Sequence, residues 1–249
     1  MPEEPELARF RQEPRWVARL AKGRPDVVLM APFMAYLLLL PLDDWVPRTY
    51  MPIAIAIRGM GGLAVVWMFR RHLPPLGRPY WPVAVAVGVF AAVLWVKGQY
   101  ILNDIHVGGK SLGGRLFLFP GVPDDSDPGE GLSPLSWWSQ VVLRITVAST
   151  TVPIVEEIFW RAFLLRALVN WDRFEQVPLG KFTWFSFLGT SLLSTLEHPD
   201  NWGVSILCWF VYNGLMYWKR SILCLMIAHG ITNLVLYVYV LRAEAWLFW

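Results

Sequence analysis

Long apolar runs separated by short polar turns set the layout of this chain. Runs of this kind cover residues 27–42, 50–69, 80–96, 182–196, 203–218 and 221–241. Each is close to the roughly 20 residues a helix needs to cross a bilayer core of about 30 Å. A further stretch, 135–169, keeps a helical pattern over a length that would reach about 50 Å, more than the core requires. Pro153 falls inside it and predicts a kink there. The expected architecture is therefore all-α: a polytopic transmembrane helical bundle of about seven spans, with room for an eighth, in one membrane domain. No internal repeat is visible.

Composition supports the reading. Hydrophobic residues make up 55% of the 249, charged residues only 16%, and mean hydropathy is +0.42. A soluble domain carries about 25% charged residues. A disordered chain, a disulfide scaffold and a nucleic-acid-binding domain are all excluded. Cys208 and Cys224 both lie in apolar runs and read as buried free thiols.

Charge then orients the spans. Residues 1–26 carry Arg9, Arg11, Arg15, Arg19, Lys22 and Arg24, and a basic loop holds Arg70, Arg71, His72 and Arg78. The turn at 41–47 holds Asp43, Asp44 and no base. This asymmetry predicts a cytoplasmic N-terminus. The basic segment is expected to form a surface helix, with Phe10, Trp16, Val17 and Leu20 as a lipid-facing stripe. The run at 27–42 ends without a small-residue cleavage site and reads as a span, not a cleaved signal. The connection at 97–135, rich in glycine and acidic residues, is expected outside, as a lid, a substrate-facing loop or a plain surface loop. His72 and His106 fall in loops and read as solvated.

The scarcity of charge makes its exceptions informative, because an ionisable residue within a span costs about 2.5–3.5 kcal/mol on insertion scales. Glu156 and Glu157 are adjacent inside an apolar helix. Glu157 and Arg161 are four apart, on one helix face, where they can pair. Glu156 lies about 100° round the helix, free to address a cavity. His198 follows Glu197 where a helix evidently ends, and His229 and Asn233 share a face of the last span. Arg58 and Arg144 also sit within spans and read as structural. A carboxylate pair and two histidines on three spans form the inventory of a hydrolytic site. The zinc-protease H-E-x-x-H, a serine elbow and the G-x-G-D of intramembrane aspartyl proteases are all missing from the sequence.

Glu156-Glu157-x-x-x-Arg161, a histidine at the end of the next span, and His229-x-x-x-Asn233 together resemble the CPBP family. These are the CAAX-protease and bacteriocin-processing intramembrane endopeptidases, a group that includes the eukaryotic Rce1 protease. The resemblance covers residues 135–241. One departure is Ser194, where the family's second motif carries Phe, leaving Leu193 and Leu196 to supply the packing. The surrounding Glu197-His198-Pro199, Trp202, Tyr212-Asn213, Ala228 and Thr232 are most similar to the bacterial branch that accompanies exosortase systems.

The resemblance implies an intramembrane endopeptidase acting on a membrane-associated protein or peptide. Glu156 and His198 would activate a water, His229 and Asn233 would bind the oxyanion, and Glu157 with Arg161 would orient the site. It implies no required cofactor; were zinc present, Glu156, His198 and His229 would be its ligands. The partners expected are the lipid bilayer and the substrate, with no nucleic acid. Simple alternation puts His198 near the outer end of its span and His229 nearer the inner side, so a shared site needs tilted helices, a break at His198-Pro199 or a water-filled central cavity, and the last is the one expected. A non-catalytic scaffold or transporter using the same polar groups is the alternative.

Overall fold

The computed structural model describes residues 13–119 and 125–249. Nine helices organise it: α1 (Arg15–Gly23), α2 (Pro25–Leu38), α3 (Met51–Phe69), α4 (Trp81–Asp104), α5 (Pro134–Ser149), α6 (Thr151–Glu157), α7 (Trp184–Leu193), α8 (Trp202–Lys219) and α9 (Ile222–Ala243). Between α4 and α5 a two-residue hairpin pairs His106 with Ser111 and Val107 with Lys110. The helical membrane bundle expected from the apolar pattern is what forms.

Four stretches are long and apolar enough to cross a bilayer: Pro25–Trp45, Arg48–Phe69, Trp81–Asp104 and Ile222–Ala243. Only 28–39% of each is buried, so their remaining apolar surface faces outward, as it does against lipid. Exposed tryptophans mark helix ends, among them Trp67 on α3, Trp81 on α4, Trp184 on α7 and Trp218 on α8, where an aromatic belt belongs. The other three expected spans are helical but broken, short or polar on one side. They are the ones that carry the candidate chemistry.

The core is built on α4 and α9, which run parallel. Gly88 of α4 meets Ala228 and Ile231 of α9, and twelve residues further along, the hydroxyl of Tyr100 meets that of Tyr239. Glycine at 88 is a steric requirement: an added Cβ would stand 2.5 Å from the Ala228 carbonyl oxygen. Thr232 donates to the carbonyls of Gly88 and Ala228, joining the helices further. Helix α8 packs beside them, its Cys208 thiol against the Ala91 carbonyl.

Helices α7 and α8 are held together by polar groups. Asn213 donates to the hydroxyls of Thr190 and Ser191, and the hydroxyls of Ser194 and Ser205 meet at 2.9 Å. In a bundle surrounded by lipid, small residues and interhelical hydrogen bonds of this kind replace the hydrophobic effect. They correct the expectation about Ser194. Its hydrogen bond to α8 does the packing, while Leu193 and Leu196 are exposed.

Three other expectations shift. Val17 of α1 is fully buried and packs into the core, so it is not part of a lipid-facing stripe; Phe10 lies outside the described residues. His72 pairs with Glu13 at 2.6 Å. The third span continues to Asp104, past the expected end at 96, because Gln99 donates to Asn103 and to the Gly113 carbonyl. Those polar residues anchor the following loop. The loop in turn rests on the α7–α8 corner: Leu116 donates its amide to the Pro199 carbonyl, and Trp202 donates to that of Gly114.

The long helical stretch does break near Pro153, at Thr150 (φ −123°, ψ −66°). Pro153 has no N–H for the Ser149 carbonyl four residues earlier. Helix α9 docks on this break. Asn233 donates to the Ala148 carbonyl at 2.7 Å, and Gly230 lies so close to Ser149 that a Cβ would meet its carbonyl oxygen at 2.5 Å.

Gly88→Ala is expected to cost about 1–3 kcal/mol by overpacking the α4–α9 contact. Gly214→Ala, on an open face of α8 with no atom within 4 Å, is expected to be neutral or slightly stabilising. Thermal unfolding of both variants in detergent checks the contrast.

Candidate active site

Immediately after Glu157 the helix widens into a π-helical segment, Ile158–Leu164, a departure from α geometry often found at functional sites. The two carboxylates diverge as their spacing requires. Glu157 is fully buried. It pairs with Arg161, which is also fully buried, at 3.2 Å, and accepts a hydrogen bond from Arg161 Nη1 at 3.3 Å. Arg161 is sandwiched further by aromatic faces, with its guanidinium carbon 5.0 Å from the Trp209 ring centroid and 5.7 Å from that of Tyr212.

His229 of α9 completes the group. Its Nδ1 lies 3.0 Å from Glu157 Oε1, and its Nε2 lies 4.0 Å from Glu156 Oε2. A carboxylate only accepts, so the Nδ1 nitrogen carries the hydrogen when Glu157 is ionised. Arg161, Glu157, His229 and Glu156 thus form one chain of contacts running from the protein interior to a cavity.

That cavity holds about 730 Å³ and is lined by Glu156, His198, His229 and Asn233 together with Glu197, Trp160 and apolar side chains of α2 and α4. All four residues expected to do chemistry therefore reach one space. Within it Glu156 Oε2 has no hydrogen-bond partner. His198 is held by rings: Trp95 of α4 stands edge-on at 5.0 Å between centroids, and Trp209 lies at 5.8 Å. The same Trp209 ring lies 6.4 Å from His229, so one indole contacts both histidines. Asn233 lines the cavity, but one of its amide hydrogens is engaged by Ala148.

Depth is reconciled by the shortness of α7. With its 3-10 extension it runs Trp184–Leu196, about 20 Å at 1.5 Å per residue, and the chain then turns at Pro199–Asn201 into α8. His198 therefore stops part-way along the bundle, level with Trp95 of α4.

Glu197 was not singled out by sequence reasoning. It accepts from the Trp160 indole N–H through both oxygens, at 3.1 and 3.2 Å, and faces the cavity. Its signal was available, since a carboxylate next to His198 in an apolar stretch is as costly as Glu156. Among the described residues no three His, Cys, Asp or Glu side chains stand close enough together to hold a metal ion. Glu156, His198 and His229 share a cavity without forming a ligand cluster.

Residues 137–235 match a family model described as type II CAAX prenyl endopeptidase, Rce1-like. That segment, less than half of the chain, is similar to the Rce1-like members of the CPBP family. Searches of the curated proteins and of the solved structures found no match. The Rce1-like segment runs from α5 to α9 and contains Glu156, Glu157, Arg161, His198, His229 and Asn233. That family is one of CAAX-type intramembrane proteases, and the match together with the apolar helices supports an integral membrane protein. Helices α1–α4 lie outside the match, yet α4 supplies Trp95 against His198, and α2 supplies Phe33 and Tyr36 to the cavity wall.

Arg161→Met leaves Glu157 as a buried carboxylate without its cation, and is expected to cost about 3–5 kcal/mol. Adding Glu157→Gln is expected to recover part of that loss, so that the double variant costs less than the sum of the singles. Thermal unfolding of the three variants in detergent measures the coupling.

Proposed function

We propose that this protein is an intramembrane endopeptidase of the glutamate type, cutting a membrane-associated protein or peptide. The observation that carries the reading is the convergence of Glu156, His198, His229 and Asn233 on one cavity, with Glu156 Oε2 unpartnered. Helix packing alone would need Glu157, Arg161 and His229, which pair with one another. It has no use for a second carboxylate left open toward a cavity, and this weighs against a scaffold.

In the proposed mechanism a water sits against Glu156 and His198. Glu156 takes a proton from it as the oxygen attacks the scissile carbonyl, and the same carboxyl then returns that proton to the departing amine. The negative charge that develops on the carbonyl oxygen is met by the free amide hydrogen of Asn233 and by His229. With Nδ1–H donated to Glu157, Nε2 of His229 carries a hydrogen only in the imidazolium form, so Glu157 would set both the ring's orientation and its tautomer. Arg161 would hold Glu157 in place. No step calls for a cofactor. The apolar lining from Phe33, Leu37, Trp95 and Phe159 suits an apolar or lipid-modified substrate segment, for which the family description supplies the prenyl example.

The localisation proposed is a bacterial inner membrane with the N-terminus in the cytoplasm. A single cysteine placed at the N-terminal end is expected to react with a membrane-impermeant maleimide only after the cells are opened. Labelling in intact cells would reverse the orientation.

For the chemistry, Glu156→Gln is expected to lower kcat about 10²- to 10⁴-fold, the usual worth of a general base, and His198→Ala to lower it strongly as well. The assay is cleavage of a prenylated C-terminal peptide by protein reconstituted in liposomes. Undiminished turnover by both variants would sink the mechanism.

A further inference from the structure

The cavity shared by Glu156 and His198 holds more negative charge than the proposed mechanism uses. Its walls carry three carboxylates, Glu156, Glu197 and Asp200, and among the described residues no lysine or arginine lines it. Asp200 is answered by Arg115 at 2.8 Å. Glu156, itself 7% exposed, keeps Oε2 without a hydrogen-bond partner. That oxygen stands 4.0 Å from His229 Nε2, which meets it with a positive charge whenever the imidazole is protonated. Glu197 is left over. Both its oxygens share a single neutral donor, the Trp160 indole N–H, and among the described residues no cation forms an ion pair with it. An ionised carboxylate offers about four acceptor sites, so most of its capacity is unused. A charge at this depth in a membrane bundle is costly unless something of opposite sign meets it. Holding Trp160 does not require the charge, because a glutamine oxygen would accept the same hydrogen.

We propose that Glu197 determines specificity by binding a lysine or arginine side chain of the substrate, within about two residues of the scissile bond. The inference rests on the peptidase reading of this cavity and names the class of peptide it takes. Trp160, which holds Glu197, follows Glu156 by four residues on one continuous helical stretch, about 6 Å of rise. Glu197 is also the chain neighbour of His198. An extended peptide covers 6 Å in about two residues. An ammonium or guanidinium group forms charge-assisted hydrogen bonds with a carboxylate, and indole faces attract cations; Trp95, Trp160 and Trp209 line the same cavity. One carboxylate in excess suits one basic side chain. Its methylene stem would lie along the apolar wall of Phe33, Leu37 and Phe159, so the rest of the substrate segment stays apolar. The bound cation would also offset the repulsion between Glu197 and Glu156, two like charges in one cavity.

Recognition is tested first, without turnover. The probe is dansylcadaverine, whose alkyl ammonium mimics a lysine side chain, beside its neutral N-acetyl derivative. Binding is read by energy transfer from the protein's tryptophans, on full-length protein in nonionic detergent micelles. The ammonium is expected to bind at least about tenfold tighter than the neutral form, the usual worth of a charge-assisted hydrogen bond. Glu197→Gln keeps an acceptor for Trp160 and removes the charge, and is expected to abolish that preference; Glu197→Asp is expected to retain part of it. Equal binding of the two probes, absence of binding by both, or a preference that survives Glu197→Gln overturns the proposal. Should Glu197→Gln fail to fold, Glu197→Ala is read in its place. The peptide acetyl-Leu-Leu-Lys-Leu-Leu-amide is expected to displace the ammonium probe, and its norleucine counterpart to leave it bound. If lysophosphatidylethanolamine displaces the probe in a Glu197-dependent way while the lysine peptide does not, the cavity holds a lipid amine and the substrate assignment falls. Cleavage is scored separately, on prenylated peptides carrying lysine or norleucine beside the farnesyl-cysteine. The lysine form is expected to show a kcat/KM about tenfold higher, and Glu197→Gln to bring the two forms together. Probe discrimination without Glu156-dependent cleavage removes the peptidase reading and leaves the cation site. Equal cleavage of both forms removes the proposal and leaves the peptidase reading.

Discussion

A buried carboxylate in a bundle surrounded by lipid must find positive charge and hydrogen-bond donors within the protein, because no water stands by to replace them. Glu157 is the residue on which that constraint falls hardest here, and much of the surrounding structure follows from meeting it. Arg161, one turn later, supplies the charge; Trp209 and Tyr212 of α8 cover the guanidinium; His229 of α9 supplies the remaining donor. Three separate segments of the chain are therefore committed to one position by a single side chain. Their commitment is also what brings Glu156 and His229 within 4.0 Å of each other. Of the two adjacent glutamates one is held by Arg161 and His229 and the other faces the cavity, and the division depends only on the angle between consecutive residues of a helix.

Bringing α9 close enough to serve Glu157 sets its own requirements. Helix α9 is pinned between α4 and the α5–α6 break, and on both sides the contact is made by a missing side chain: Gly88 on α4, and Gly230 facing the Ser149 carbonyl. The break itself follows from Pro153, which leaves a carbonyl unserved. Asn233 then donates to the neighbouring carbonyl of Ala148. Residues with catalytic prospects are thus also residues that dock the helix. One amide hydrogen of Asn233 is engaged by this contact, which holds the side chain still at the cavity wall.

How much of this was legible in the sequence depended on whether the signal was local. Apolar run length located α2, α3, α4 and α9 because a span's length is fixed by the bilayer. The Glu157–Arg161 pair followed from helix periodicity, and the separation of Glu156 from it did too. The family motifs brought His198, His229 and Asn233 to the same list. What could not be read were features decided by partners distant in the chain. Ser194 reads as a departure from a motif until Ser205, eleven residues on, is seen to answer it. The run at 97–104 reads as loop because Gln99 and Asn103 are polar, and only their partner in the following turn makes them helical. Val17 reads as amphipathic surface, and burial against the core overrides that. Glu197 stood in plain view beside His198 but drew no assignment, since its partner Trp160 lies on another helix.

The shortness of α7 explains how His198 comes to lie at depth in the bundle. A span that crossed the full core would carry its end, and with it His198, out to the surface. Here the Trp184–Leu196 helix stops about 10 Å short of a bilayer core, and the corner at Pro199–Asn201 turns the chain back inside. A corner at that depth exposes backbone groups that lipid cannot satisfy. The loop after α4 meets this need: Leu116 donates to the Pro199 carbonyl, Trp202 donates to that of Gly114, and Arg115 pairs with Asp200. The segment around Gly114–Leu116 of the connection therefore rests on this corner. It closes the irregular backbone that a short helix leaves behind, and by doing so it allows His198 to stay at the level of the cavity that Glu156 also lines.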